Sequence, residues 1–126
     1  MSIIDSKIKS DLVGLLKQMD EKLETLGKFR IKNFPGNWAD SIFASREALG
    51  QCISELEAGI NPKDTQELSV CWTKLPRLLE HQMLFVLRLT GLSAPEPKAL
   101  ASRIIDLSNE VHTALFGESI EITLFS

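Results

Sequence analysis

Four glycines constrain this chain more than any other feature. Gly27, Gly59, Gly91 and Gly117 each follow directly on a stretch whose apolar residues recur at spacings of three and four. That period marks an amphipathic helix, and a glycine just past the last turn supplies the left-handed residue that commonly closes one. The pattern predicts four helices, at about 4–26, 38–58, 65–90 and 94–116. Phe29, Ile60 and Leu92 stand just beyond the first three glycines, where an apolar side chain packs back on the last turn.

The starts are legible too. Asp64 with Glu67 and Ser93 with Glu96 have the spacing of a capping box, and Asn37, after Phe34-Pro35-Gly36, is placed to cap the second helix. The first helix puts Ile8, Leu12, Leu15, Leu16, Met19, Leu23 and Leu26 on one stripe. The second does so with Trp38, Ile42, Leu49, Cys52, Ile53 and Leu56, and the fourth with Leu100, Ile104, Leu107, Val111 and Leu115. Short connections favour antiparallel neighbours, so the expected fold is all-α: an up-and-down antiparallel four-helix bundle, one domain over 1–126. A chain of 126 residues is long enough to bury one such core.

The third helix departs from this pattern. From Leu68 to Leu89, through the unbroken run Met83-Leu84-Phe85-Val86-Leu87, its apolar residues cover an arc of roughly 200°. One neighbouring stripe cannot cover that much. Either the helix touches all three others, or its surplus surface belongs to a partner. Pro76 lies inside it and should kink it near Trp72, a break around Leu75 being the alternative.

After Gly117 the period changes. Ile120, Ile122 and Leu124 alternate with polar residues in an extended tail, 118–126. The segment from Lys28 to Phe34 alternates as well, and the two match in pattern as a small two-stranded ribbon. The other expectations for the tail are irregular packing over the bundle end or addition to another chain.

Composition excludes several roles. The apolar run is far shorter than the ~20 residues of a membrane helix, and Arg88 interrupts it. The first residues lack the apolar core and cleavage site of a signal peptide, which points to the cytoplasm. A net charge of −3 argues against broad nucleic-acid affinity. The basic cluster Lys28, Arg30 and Lys32 reads best as a loop turning its apolar side inward, with base stacking by Phe29 or Phe34 as the functional alternative. Charge is uneven along the chain: 1–63 carry nine basic and nine acidic residues, 64–126 five and eight.

Catalytic and metal signatures are weak. His81 falls on a polar face and His112 beside a core stripe, neither in a zinc or di-iron arrangement. Glu21 and Glu24 form an ExxE pair, but Glu55 and Glu57 diverge by about 200° and cannot complete a magnesium site. Cys52 and Cys71, the only cysteines, sit on apolar stripes without a histidine at helical spacing, so buried, reduced thiols are expected. Neither cofactor nor metal is implied.

What remains are apolar residues outside the stripes: Phe43, Val70, Leu84, Ile105 and Phe116. Ala101, Ile105, His112 and Phe116 form a second stripe on the fourth helix. Together with Leu84, Arg88, Ile120, Ile122 and Leu124 they outline a surface for a protein partner or a homodimer. The expected function is a non-enzymatic, cytoplasmic protein-interaction module of the chaperone, immunity, anti-defence or regulatory-adaptor kind, by analogy of fold class. The alternative is a small-ligand or nucleotide binder, with weak catalysis, whose site lies around Cys71, Gln82 and Thr90 on the core side of the third helix.

Overall fold

The computed structural model describes residues 6–60, 62, 70–89 and 95–116. Within them the apolar stripes become four helices: α1 (Ser6–Leu26), α2 (Trp38–Glu57), α3 (Val70–Leu87) and α4 (Pro95–Phe116). α1 packs on α2, α2 on α3, α3 on α4, and α4 closes on α1, while the diagonal pairs stay apart. The fold is an all-α four-helix bundle. No described residue is in a strand.

Side-chain contacts give the helix directions. Trp38, at the start of α2, meets Leu26 at the end of α1, while Arg46 reaches back to Asp20 and Glu24. Similarly, Ser45 contacts Gln82 and Glu55 contacts Cys71. Moving forward along α2 means moving backward along α1 and α3, so both pairs are antiparallel. The first half of α1 borders the last part of α4 across a shared groove.

The core is built from the predicted stripes. Leu12, Leu16, Met19, Leu23 and Leu26 of α1 are fully buried, with Ile42, Leu49, Cys52 and Leu56 of α2 and Ile104, Leu107 and Val111 of α4 beside them. Each such leucine or isoleucine contributes about 1.5–3 kcal/mol through removal from water. Ile8 falls outside the core at 41% exposure, one turn before Leu12.

Two helix ends differ in mechanism. At the end of α2, Gly59 has φ +87, with Ile60 N–H donating to Glu55 and Gly59 N–H to Leu56, both at 3.0 Å. This is the expected left-handed closure. Gly27 is different: its φ is not positive, and a Cβ there would lie 3.0 Å from Ile42 Cγ2. Glycine at 27 serves the close approach of α1 to α2. Asn37 caps α2 as expected, its side chain accepting from Ala39 N–H at 3.0 Å. The other predicted caps and glycine ends, Asp64, Ser93, Gly91 and Gly117, lie outside the described residues.

The connection between α1 and α2 settles much of the third-helix question. Lys28, Arg30 and Lys32 are exposed, Phe29 and Ile31 pack against the core, and Phe34 is buried. Phe34 meets Trp38 edge-on at 4.8 Å, Phe85 edge-on at 5.1 Å and His81 at 5.5 Å. The loop thus covers the flank of α3 that α2 and α4 leave open. The buried stripe of α3 is Cys71, Trp72, Leu75, Leu79, Gln82, Met83 and Val86. α3 touches two helices rather than three, with a loop in place of the third. It runs unbroken through Pro76. The tail, 118–126, and its proposed ribbon lie outside the described residues.

Candidate functional site

Between α2 and α3 three polar side chains meet in the interior. Gln82 is fully buried, its Oε1 accepting from Ser45 Oγ at 2.7 Å and its Nε2 donating to Ser41 O at 2.8 Å and to Ser41 Oγ at 2.6 Å. Both amide hydrogens are used within the chain. A buried amide without partners costs about 1–3 kcal/mol, so this network holds α2 and α3 in one register.

Further along the same seam Cys71 Sγ donates to Glu55 Oε2 at 2.6 Å, and Cys52 lies one turn before Glu55 on the same helix. Neither cysteine is in a disulfide and both are buried. Burial, reinforced by Cys71 and Glu55, pushes the Cys52 thiol far above its ordinary range, so it stays protonated. The sequence alone does not reveal this cluster, since Glu55 and Cys71 come together only when α2 and α3 pack. Cys52 and Glu55, three apart on α2, were the available signal.

The seam between α1 and α2 is tied at the surface. Arg46 donates to both oxygens of Asp20, at 2.9 and 3.2 Å, and to Glu24 at 3.3 Å. The hydrogen bond to Asp20 raises the guanidinium pKa above its ordinary value. This gives the ExxE region a structural partner: Glu24 lies against Arg46 and Lys28, while Glu21 is exposed.

A shallow groove of about 640 Å³ runs between α1 and α4. Ser10, Asp11, Gly14 and Gln18 border it on one side, Asn109 and Thr113 on the other. Asn109 Oδ1 is buried and has no hydrogen-bond partner. Nothing in the periodicity of α1 or α4 announces this groove, because it depends on how the polar flanks of two helices meet.

The candidate partner surface is divided by the fold. Leu84 is 38% exposed, Arg88 is exposed, and Ile105 is half-buried against the core. Ala101 and His112 are buried inside the chain, at 0% and 4% exposure, and present no outer surface. The second stripe of α4 lies so near the core face that the neighbouring helices cover part of it. The Phe116 side chain, Ile120, Ile122 and Leu124 lie outside the described residues. Of the candidate ligand-site residues, Cys71 and Gln82 face α2, and Thr90 is outside the described residues. Phe43, on α2, is the most exposed large apolar residue described, at 62%.

Among the described residues no group of three or more His, Cys, Asp or Glu could hold a metal ion, and no helix is long and apolar enough to cross a membrane. Compared with known proteins, the chain matches no family, no curated protein and no solved structure.

Proposed function

We propose that this chain is a non-enzymatic interaction module that binds a protein partner, or a second copy of itself, through the outer face of α3 and the adjoining part of α4. The carrying observation is Leu84, exposed on the side of α3 opposite its buried stripe. Helical projection places it among Glu80, Arg77 and Arg88, an apolar centre with a charged rim. An apolar centre with a polar rim is the layout of a protein interface. The polar groups of the α2–α3 interior, by contrast, are engaged with one another. A cytoplasmic adaptor, chaperone or immunity role fits this reading.

Light scattering coupled to size exclusion tests it. An assembly larger than the monomer that Leu84→Asp converts to monomer, with melting unchanged to within about 0.5 kcal/mol as for a surface substitution, supports self-association. If the chain is monomeric, a photo-cross-linking residue at position 84 should give a discrete protein adduct in the cell; without either result the reading fails. A second reading, small-ligand binding, is favoured by the groove between α1 and α4, whose volume lies in the range of small-molecule sites. Ligand-dependent thermal stabilisation that is lost on Gly14→Leu would support it.

A further inference from the structure

The thiols of the α2–α3 seam have no part in the interaction reading, yet they are placed for chemistry of their own. Cys52 and Glu55 lie one turn apart on the face of α2 that meets α3. Cys71, across the seam on α3, donates its thiol hydrogen to Glu55 at 2.6 Å, and it is a neighbour that helps to hold the Cys52 thiol protonated. Two thiols and a carboxylate are therefore gathered along one stretch of the seam between two antiparallel helices. We propose that Cys52 and Cys71 are a dithiol oxidised by hydroperoxides to an intramolecular disulfide that ties α2 to α3, with Glu55 accepting the Cys71 proton.

The steps balance without another reagent. Glu55 takes the proton from Cys71, and the thiolate attacks one oxygen of the hydroperoxide. The S–O bond forms as the O–O bond breaks, giving a sulfenic acid at Cys71, and the departing oxygen leaves as water or alcohol with the proton held by Glu55. Cys52 then attacks the sulfenic sulfur; the S–S bond forms, the S–O bond breaks, and hydroxide leaves as water with the Cys52 proton. Two sulfurs lose one electron each, and the two peroxide oxygens gain one each.

The roles of the two cysteines follow from their surroundings. Cys52 is fully buried and held as a thiol, whereas Cys71 has a carboxylate in hydrogen-bond contact. A hydroperoxide reaches Cys71 when α3 separates locally from α2, and Cys52 resolves the product.

The test treats the full folded chain with hydrogen peroxide, quenches, and maps disulfides by mass spectrometry beside a thiol titration under denaturing conditions. The expected product has lost both thiols and two hydrogens, links the peptides containing Cys52 and Cys71, and is reversed by dithiothreitol. Because the fold supplies proximity, it should form on the order of 10-fold or more faster in the folded chain than in guanidinium. Glu55→Gln should slow it on the order of 10²-fold, the low end for a positioned proton acceptor, without altering the melting curve. Cys52→Ala should leave a sulfenic acid at Cys71 that dimedone traps; if that variant does not fold, the wild-type mapping decides. Thiols that persist in the folded chain while the unfolded chain reacts overturn the proposal. So do oxidation that ends at sulfinic acid and a disulfide joining two chains. Equal rates for wild type and Glu55→Gln overturn the role of Glu55.

Discussion

Between α2 and α3, Gln82 meets Ser41 and Ser45 and Cys71 meets Glu55; beside the groove between α1 and α4, Asn109 Oδ1 is buried and, like Trp72 Nε1 on α3, meets no partner. Both seams join amphipathic helices on the same apolar core. They differ in whether polar side chains within it specify the partner. A satisfied network penalises every sliding of α2 along α3, because a shift leaves an amide or hydroxyl unpaired in a low dielectric. An orphaned carbonyl oxygen carries that penalty already, so it gives α1 and α4 no such register. The α1–α4 seam is positioned by apolar packing instead.

Replacing Gln82 with methionine should have the largest effect on this contrast. The volume is retained but the Ser45 hydroxyl loses its acceptor, and the expected loss is about 2 kcal/mol in urea unfolding. Adding Ser45→Ala to that variant should recover part of the loss, since both partners are then apolar. If Gln82→Met is neutral, the network does not distinguish the two seams. Asn109→Leu should act with the opposite sign and raise stability by about 1 kcal/mol, because it removes a buried oxygen without a partner. A loss of that size would show that the oxygen is satisfied and that the seams are alike. The smallest effect belongs to the surface tie: Arg46→Met should cost about 0.5 kcal/mol at low salt and less at high salt, since the Arg46–Asp20 pair is a third exposed.

Much of the architecture is legible from one-dimensional patterns. A helix buries residues that recur every 3.6 positions, so Leu12, Leu16, Met19 and Leu23 identify themselves as core without knowledge of any neighbour. Asn37 and Gly59 act through atoms within a few residues of themselves, and their capping roles appear as the local sequence implies. Gly27 shows the limit of such reasoning. It sits where a terminal glycine should, but its reason for being glycine is Ile42, fifteen residues away on another helix.

The candidate surface was less legible for a related reason. Projection placed Ala101, Ile105 and His112 on one stripe, but the angle at which α4 lies against its neighbours buries Ala101 and His112 and leaves Ile105 at the boundary. The run at Leu84 needed a loop for its explanation, since Phe34 covers the side of α3 at Phe85 while Leu84 keeps its exposure. By itself the sequence determined the number of helices, their approximate spans and the inward stripes of α1 and α2, because those follow from local periodicity and capping. The tertiary structure decided which helix neighbours which and what covers α3. It also set Glu55 of α2 against Cys71 of α3, because contacts between residues far apart in the chain leave no periodic trace in it.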